Sequence, residues 1–333
     1  MTIHKPVLLE ETIENLDLKK GDVVIDATLG GGGHSTVILE KIGKEGTLIA
    51  LDLDREAVEK FAEFPISNFQ FPNKSEIPIF KNQNIYLVND SFANLESILA
   101  ELKIEKVDAI LADLGWSSDQ LLNRGMSFRR DEKLDMRLRR DQDLSARTVV
   151  NDYSREDLER IIRDYGEERF ARNIARKIVE ARKEKEIETT HDLVEIIESA
   201  VPARYKHQKI PRKSRPDGTQ GKHLATRTFQ AIRIEVNGEL DNLKKFIPKS
   251  IESLSEGGRL AIISFHSLED RIVKDIFREN ARGCICPRDF PQCVCGNVPD
   301  VRIVTKKPIV AKESEVLDNP RARSAKLRVC EKV

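Results

Sequence analysis

The first 115 residues of this 333-residue chain alternate short apolar runs, rich in β-branched residues, with segments of helical periodicity. The apolar runs carry hydrophobic residues on both faces, which is typical of strands that helices cover on two sides of a sheet. The predicted strands span 23–29, 47–52, 85–90 and 107–114, and the predicted helices span 35–42, 55–64 and 95–102. This alternation predicts an α/β fold built from βαβ units around a parallel sheet.

Strand patterns stop near residue 115 and return only near residue 259. Charged helical patterns occupy 154–165, 167–186, 190–200 and 225–255, with Ser154 and Thr190 as candidate N-caps. Further strands are predicted at 259–265, 301–307 and 325–331, and a polar surface loop at 65–84. We therefore expect one sheet domain, formed by residues 1–116 and 224–333, that is interrupted by an inserted helical domain, residues 117–223. The insertion starts where the fourth strand ends, at the edge where open α/β sheets bind ligands, so we expect it to wall the site.

Four consecutive glycines, Gly30 to Gly33, followed by His34, connect the first predicted strand to the first predicted helix. Glycines at such a turn let the backbone approach a ligand and present helix N-terminal amides to it. A run of four favours ligand binding over a simple tight turn. Asp52 closes the second strand, where an acidic side chain accepts hydrogen bonds from ribose hydroxyls. Together these features predict a nucleoside-containing cofactor.

The glycine run departs from both common phosphate-binding motifs. A dinucleotide fingerprint needs a third glycine where this chain has Ser35 or Thr36, and a phosphate loop needs a lysine where it has His34. S-Adenosylmethionine has a ribose and no pyrophosphate, and loop amides together with an acid such as Asp26 can bind its carboxylate and ammonium groups. S-Adenosylmethionine therefore does not require the third glycine, while Asp26 remains open between cofactor contact and capping of the strand end.

Asp113 ends the fourth predicted strand, beside the expected crevice and at the start of the insertion. A carboxylate there can accept an N–H of an exocyclic amine, leave the nitrogen lone pair to attack a methyl group, and stabilise the cationic product. Capping of backbone amides is the alternative, and the position at the crevice favours the catalytic role. His266, at the end of the next strand, has no partner visible in the sequence, so we interpret it as a structural hydrogen-bonding residue.

The charges divide unevenly along the chain, although 56 Lys and Arg balance 56 Asp and Glu. Residues 1–115 hold 11 basic and 20 acidic residues, a net charge of −9, so the remainder carries +9. Between Arg204 and Arg233, nine basic residues stand against one acid. Seven more basic residues lie at the other end of the insertion: Arg124, Arg129, Arg130, Lys133, Arg137, Arg139 and Arg140. Nucleic acid is therefore favoured as the partner over a merely solvated surface.

Four of the five cysteines lie within twelve residues as two CxC pairs, Cys284 with Cys286 and Cys293 with Cys295. Zinc sites usually place two or more residues between paired cysteines, so reduced thiols are favoured over a structural metal, and no metal site is predicted. Cysteine usage indicates a reducing compartment. The chain also lacks a signal-peptide pattern and any apolar run of the roughly 18 residues that a membrane span requires, so we expect a cytoplasmic protein.

Eight long and unusual segments extend over nearly the whole chain: HKPVLLEET, GGGGHS, LADLGWSSDQL, RGMSFRRDEKLDMR, YGEERFARNIARKIV, HLATRTFQAIRIEVNGEL, GGRLAIISFHSLEDRIVK and NPRARSAKLR. Together they resemble the RsmH (MraW) family of small-subunit (16S) ribosomal RNA cytosine-N4 methyltransferases. The resemblance implies a class I S-adenosylmethionine-dependent methyltransferase sheet of Rossmann-like type with an inserted helical domain. It also implies methylation of the exocyclic amine of a cytidine in the decoding region of the small ribosomal subunit.

The resemblance further implies a set of cofactor-binding residues, with Phe92 on the adenine side. By position in this sequence they are Gly32, Gly33, His34, Asp52, Phe92, Asp113 and Gln120. Trp116 stands where the family often has a smaller apolar residue, so stacking of a base on Trp116 remains open. The CxC pairs occur in some relatives and not in others, so the shared reaction does not require a metal.

The expected reaction is direct in-line transfer to the amine, with Asp113 orienting the nitrogen and no covalent enzyme intermediate. No cysteine stands where a nucleophile for pyrimidine C6 would be expected, which disfavours carbon-5 methylation. The target base must be unstacked, because an exocyclic amine in a duplex is engaged in pairing. The alternatives are a non-catalytic RNA-binding or ribosome assembly factor and a nicotinamide-dependent oxidoreductase, against which the absent third glycine counts. The sequence leaves the oligomeric state unknown.

Overall fold

The computed structural model describes residues 6–63, 79–82, 84–115, 124–139, 141–206, 223–287, 290, 292 and 294–333. The strands are β1 (Val23–Asp26), β2 (Thr47–Leu51), β3 (Ile79–Asn82), β4 (Ile85–Val88), β5 (Val107–Asp113), β6 (Leu254–Ser264), β7 (Val301–Ile303) and β8 (Lys326–Lys332). The helices are α1 (Leu9–Leu16), α2 (Gly33–Ile42), α3 (Arg55–Ala62), α4 (Leu95–Leu102), α5 (Ala146–Asp152), α6 (Arg155–Asp164), α7 (Ala171–Glu184), α8 (Thr190–Ala200), α9 (Ala203–Lys206), α10 (Thr226–Asn237), α11 (Glu239–Ser253), α12 (Ser267–Asn280) and α13 (Glu313–Asp318).

The chain divides into two compact units, one formed by Met1–Ser117 with Leu240–Val333 and the other by Ser118–Glu239. The sequence placed the end of the insertion at residue 223, whereas the second unit also contains α10, because α10 packs on α5 and α6 of the same unit. The helix predicted at 225–255 is two helices. Gly238, with φ of 59°, ends α10 in the left-handed conformation that terminates many helices.

The first unit is built on one sheet, which has eight strands within the described residues, in the order β3-β4-β2-β1-β5-β6-β8-β7. β4, β2, β1, β5 and β6 run parallel, and β8 is antiparallel to both β6 and β7. The prediction of a loop throughout 65–84 was wrong at its end, because β3 pairs antiparallel with β4. A strand this short can form there because an edge strand needs only one hydrogen-bonded neighbour.

Side chains of the central strands alternate between the two faces of the sheet, as the period of two in a β-strand requires. Val24 and Ala109 belong to the core cluster that also contains buried residues of α1, α2 and α3. Ile25 and Ile110 belong to the opposite cluster, with buried residues of α4, α11 and α12. Helices therefore cover both faces, which explains why the strand sequences are apolar throughout.

The second unit is helical, and α6, α7 and α8 pack in succession. Side-chain oxygens cap three of its helices: Ser145 caps α5, Ser154 caps α6 and Thr189 caps α8 in a reciprocal capping box with Asp192. The prediction for Ser154 is confirmed, whereas the predicted cap at Thr190 was displaced by one residue. No helix in the described part of either unit is long and apolar enough to cross a membrane.

Candidate functional site

The glycine run forms the tight connection between β1 and α2. Gly32 precedes the first helical residue with φ of 74°, and its amide donates to Leu29 O at 2.7 Å. A Cβ on Gly32 would overlap the ring of Phe61 in α3. A side chain is therefore excluded twice, by the positive φ and by the neighbouring helix, and the backbone of the loop lies close against α3.

Asp52 holds the glycine loop against the end of β2. Its Oδ2 accepts the Gly30 amide at 2.7 Å, and its Oδ1 accepts the Asp54 amide at 2.7 Å. Burial raises the pKa of Asp52 to about 6, while the two amide bonds act in the opposite direction. At pH 7 the carboxylate is therefore largely ionised.

Both carboxylate oxygens of Asp26 accept hydrogen bonds from other residues of the protein. Its Oδ2 accepts the Ser35 hydroxyl at 2.6 Å and its Oδ1 accepts the Thr28 amide at 3.2 Å, while only 1% of the residue is exposed. Burial raises the pKa of Asp26 despite these hydrogen bonds. Of the two roles left open by the sequence, these contacts favour capping of the strand end over cofactor contact.

Asp113 lies at the carboxyl end of β5 and faces the start of α2. Its Oδ2 is 3.8 Å from Nδ1 of His34, whose Nε2 lies 3.2 Å from Val7 O. Burial, aided by the negative charges of Asp26 and Glu269 and opposed by a hydrogen bond from the Gly115 amide, raises the pKa of Asp113 to about 7. A carboxyl with this pKa exchanges a proton with a partner near neutral pH.

Glu269 owes its position near Asp113 to the N-terminus of α12. Its Oε2 accepts the Phe265 amide at 2.8 Å and the His266 amide at 3.2 Å, and its own amide donates to Nδ1 of His266 at 3.4 Å. His266 and Glu269 thus cap the helix reciprocally. His266 therefore has the structural hydrogen-bonding role that its sequence position favoured.

Phe92 begins a 3-10 turn, Phe92–Asn94, that follows β4. Its half-buried ring lies 4.9 Å from that of Phe246 in α11, measured between centroids. Ser91 caps the turn through its hydroxyl, which accepts the Ala93 amide. Phe92 follows β4 and Asp52 follows the adjacent parallel strand β2, so both residues lie at the same edge of the sheet.

The sequence did not single out two side chains that join neighbouring strand ends. Thr28 accepts the Asp113 amide on its hydroxyl at 2.6 Å, and Asn89 donates to Asp52 O and Leu53 O at 2.9 and 3.2 Å. Each residue lies near the carboxyl end of a strand predicted from the sequence. A search for hydroxyl and amide side chains at strand ends would therefore have found both.

Most of the residues predicted for the cofactor site lie at one edge of the sheet, because β4, β2, β1 and β5 are adjacent and parallel. They are Phe92 after β4, Asp52 after β2, Gly32, Gly33 and His34 after β1, and Asp113 at the end of β5. Gln120 and Trp116 lie outside the described residues.

The basic residues of the helical unit serve different purposes. Arg124 donates to Leu138 O at 2.8 Å, and Arg137 forms a two-pronged ion pair with Asp135. Both contacts stabilise the segment that precedes α5. Arg129 and Arg130, by contrast, are exposed and form no ion pair with any residue in the described ranges. Arg140 and residues 207–222 lie outside those ranges.

The central strands of the sheet are parallel, and the reversed strand β8 is inserted between β6 and β7. This topology, together with a glycine loop after β1 and an acid after β2, defines a methyltransferase of class I. Class I methyltransferases take the methyl group from S-adenosylmethionine, so the predicted fold and cofactor are confirmed at the level of the class. A model of the MraW methylase family matches residues 1–333. The chain belongs to this family, and the resemblance seen in the sequence is confirmed.

Similar proteins extend over the same length. A protein of Acetivibrio thermocellus named Ribosomal RNA small subunit methyltransferase H is 51% identical over 332 residues, covering 99% of each chain. A protein of the same name from Clostridium botulinum (strain Kyoto / Type A2) is 49% identical over 332 residues with the same coverage. Among solved structures, an rRNA methylase from Streptococcus thermophilus has a TM-score of 0.37 at 12% identity, covering 98% of this chain and 93% of that one.

Proposed function

We propose that this protein transfers a methyl group from S-adenosylmethionine to N4 of a cytidine in the decoding region of 16S ribosomal RNA. The family and the names of its relatives support a methyltransferase of small-subunit ribosomal RNA. The observation that carries the choice of an amine is the largely buried Asp113 carboxyl at the end of β5, 3.8 Å from His34 in the first turn of α2.

The chain's own residues fit the proposed cofactor. The loop at Gly32 has no room for a side chain against Phe61, so only backbone borders that part of the site. Asp52, which the Gly30 and Asp54 amides hold in place, is the proposed acceptor for the ribose hydroxyls, and Phe92 offers a half-buried ring to the adenine. When bound, S-adenosylmethionine supplies an electrophilic methyl group on a sulfonium. Gly33, His34 and Gln120 complete the proposed set of contacts.

Asp113 acts on the amine. One carboxylate oxygen accepts an N–H of the cytosine amino group, which fixes the orientation of the nitrogen and directs its lone pair away from the carboxylate. The nitrogen becomes cationic on methylation, and the nearby negative charge stabilises it. Asp113 then takes the proton that the nitrogen releases, for which a pKa of about 7 is suited at neutral pH.

A covalent route through a cysteine is not part of the proposal. In the described part of the chain, Cys330 is buried in β8, and Cys284, Cys286 and Cys295 lie in the connection between α12 and β7. None of these thiols follows β4, β5 or β6, where the amine would be held. Direct transfer to nitrogen needs no such nucleophile, and it requires only that the base be turned out of its stack.

The helical unit is proposed to recognise the RNA substrate. Arg129 and Arg130 are exposed and their charges are not used in ion pairs with other described residues, so they are available to phosphates. Contacts of this kind position RNA whatever its sequence, which leaves base selection to the site at the sheet edge.

The test uses small ribosomal subunits from cells that lack this enzyme, incubated with the purified protein and S-adenosylmethionine labelled in the methyl group. We expect label in N4-methylcytidine after digestion to nucleosides, and fragment mapping should locate it in the decoding region. Asp113→Ala should lower the rate by at least about 100-fold, as expected for loss of a group that acts on the reacting atom.

The matched control is Asp108→Asn in the same strand. Asp108 accepts the Val23 amide at 2.9 Å near the amino end of β5, and asparagine keeps that acceptor. The control should retain activity. Label in another nucleoside, or at carbon 5 of cytidine, would contradict the proposal. Binding of S-adenosylhomocysteine and of subunits without any transfer would favour a non-catalytic assembly factor.

A further inference from the structure

Apolar packing contributes little to the connection between α12 and β7, residues 281–300. Its described residues contain no helix or strand. Four large apolar side chains are mostly exposed: Ile285 by 52%, Phe290 by 52%, Val294 by 72% and Val298 by 78%. Because the described residues of the connection form no secondary structure and expose these apolar side chains, we expect another source of order there.

Three thiols converge within this connection. The Sγ atoms of Cys284, Cys286 and Cys295 all lie within 4.8 Å of one another, and those of Cys284 and Cys295 are 3.9 Å apart. In a tetrahedral zinc site with Zn–S bonds of about 2.3 Å, any two sulfurs are about 3.8 Å apart. The distance between the sulfurs of Cys284 and Cys295 is therefore that of two ligands on one zinc ion, and the Cys286 sulfur lies within 4.8 Å of both.

Backbone amides point at these sulfurs from the opposite arm of the loop. The Ile285 amide donates to Cys295 Sγ at 3.4 Å, and the Val294 amide donates to Cys286 Sγ at 3.4 Å. The Asn297 amide also donates to Cys295 Sγ, at 3.5 Å. Amide donors of this kind stabilise thiolates and orient them, as hydrogen-bond donors to the ligands do in metal sites.

A separate clamp closes the base of the loop. The Asn297 side-chain amide donates to Arg282 O at 2.8 Å and to Gly283 O at 2.5 Å. Gly296, with φ of 62°, turns the chain between the Cys295 sulfur and this clamp. The two CxC arms are thus brought together by contacts that do not depend on any apolar packing.

We propose that Cys284, Cys286 and Cys295 bind one structural Zn²⁺ ion that orders the connection between α12 and β7. Thiolates are soft ligands that select zinc over magnesium or calcium, and an all-sulfur set with amide donors suits a structural role. Cys293, the remaining member of the CxC pattern, lies outside the described residues, and the three described sulfurs carry the proposal. The single residue between paired cysteines, which counted against a metal in the sequence, is compatible with convergence because each arm approaches the other across the loop.

The experiment measures zinc in the full-length protein purified under reducing conditions and freed of loosely bound metal by dialysis. We expect about one zinc per chain, and less than about 0.1 in Cys286→Ser and Cys295→Ser, since loss of one thiolate weakens a structural site by orders of magnitude. Cys330→Ala, which removes a buried thiol of β8 outside the loop, should keep its zinc.

Cobalt provides a readout that does not depend on the variants folding. Wild-type protein in which Co²⁺ replaces the native metal should show the absorption of a tetrahedral thiolate site, and added Zn²⁺ should remove it. The proposal is overturned if reduced wild-type protein neither contains zinc nor takes up Zn²⁺ or Co²⁺. Retention of zinc by both serine variants, or a disulfide between these cysteines that persists under reducing conditions, would overturn it equally.

Discussion

Asp113 and His34 face each other across the carboxyl edge of the sheet, with 3.8 Å between Oδ2 and Nδ1. Because Val7 O can only accept, its contact with Nε2 at 3.2 Å requires the proton of a neutral His34 to be on Nε2. Nδ1 then presents a lone pair to the carboxyl. Burial, together with the negative charges of Asp26 and Glu269, raises the pKa of Asp113 to about 7.

The pH dependence of methyl transfer should report Asp113. The carboxylate form is required to hold the amine, and the pKa of Asp113 is raised to about 7. We therefore expect kcat/KM to be low at pH 5.5, to rise through about pH 7 and to level off above about pH 8. Initial rates with labelled cofactor in well-buffered solutions measure this profile. A rate that is flat between pH 6 and 8 would remove Asp113 from the proton transfer.

The stability of the protein should fall as pH rises from about 4 to about 7. The pKa of Asp113 in the folded state lies above its ordinary value of 3.8, so the folded protein binds more protons than the unfolded chain in this window. Asp113→Asn removes the contribution of Asp113, while those of Asp52 and Asp26 remain, and it should raise stability at pH 8 by at most about 4 kcal/mol, since a pKa difference of one is worth about 1.4 kcal/mol. Denaturant unfolding at pH 4.5 and pH 8 tests this, with Asp108→Asn as the control that keeps the wild-type slope.

Gly32→Ala should impair both stability and cofactor binding. The positive φ costs about 1–2 kcal/mol for alanine, and overlap with Phe61 adds about 1–3 kcal/mol. Gly257 has a similar φ of 78° and nothing within 4 Å of an added Cβ, so Gly257→Ala isolates the backbone strain. Thermal unfolding and calorimetric titration with S-adenosylhomocysteine should show the larger loss for Gly32→Ala. Equal losses would mean that the contact with Phe61 does not matter.

Asp52→Asn should loosen the glycine loop. Two amides, from Gly30 and Asp54, donate to the two carboxylate oxygens, and an asparagine offers only one acceptor. The lost hydrogen bond costs about 1–3 kcal/mol, and affinity for S-adenosylhomocysteine should fall at least about tenfold. Asp54→Asn keeps the oxygen that caps α3 and should retain affinity. Titration calorimetry of the two variants compares them directly, and unchanged binding by Asp52→Asn would contradict the ribose assignment.

Arg129 and Arg130 should contribute to RNA affinity through phosphates. Replacing both by glutamine should reduce the slope of log affinity against log salt by about 1.5, given about 0.7–0.9 for each phosphate contact. The control replaces Arg176 and Lys177 of α7, whose charges are already paired with Glu180. Filter binding of 16S RNA fragments at several salt concentrations measures both slopes. Identical slopes in the two double variants would exclude a phosphate-binding role for Arg129 and Arg130.

Much of the sheet could be predicted from sequence because its strands are apolar on both faces and helices alternate with them. The prediction was less accurate where a local pattern was ambiguous. The helical periodicity of 225–255 gives no sign that Gly238 adopts a positive φ and separates two helices, one in each unit. β3 has too few apolar residues to stand out, and only its pairing with β4 makes it a strand.

The functional site also has a part that could be predicted from the sequence and a part that could not. The glycines and the acids at strand ends were visible because turn geometry and ligand chemistry restrict the residue type at those places. The role of Asp26 was not, because it depends on whether Ser35 and Thr28 occupy its oxygens. The convergence of three cysteine sulfurs was also invisible, since the spacing along the chain differs from the usual zinc pattern while the spacing in space does not.

The sequence by itself determined the class of fold, the cofactor and the residues available at the ends of the strands, because hydrophobic periodicity and glycine conformation act over a few residues. The tertiary structure decided which of those residues share an environment. The order of β4, β2, β1 and β5 brings Asp52, the glycine loop and Asp113 to one edge. Burial beside Asp26 and Glu269 then raises the pKa of Asp113 to about 7, because desolvation and like charges depend on neighbours that are distant along the chain.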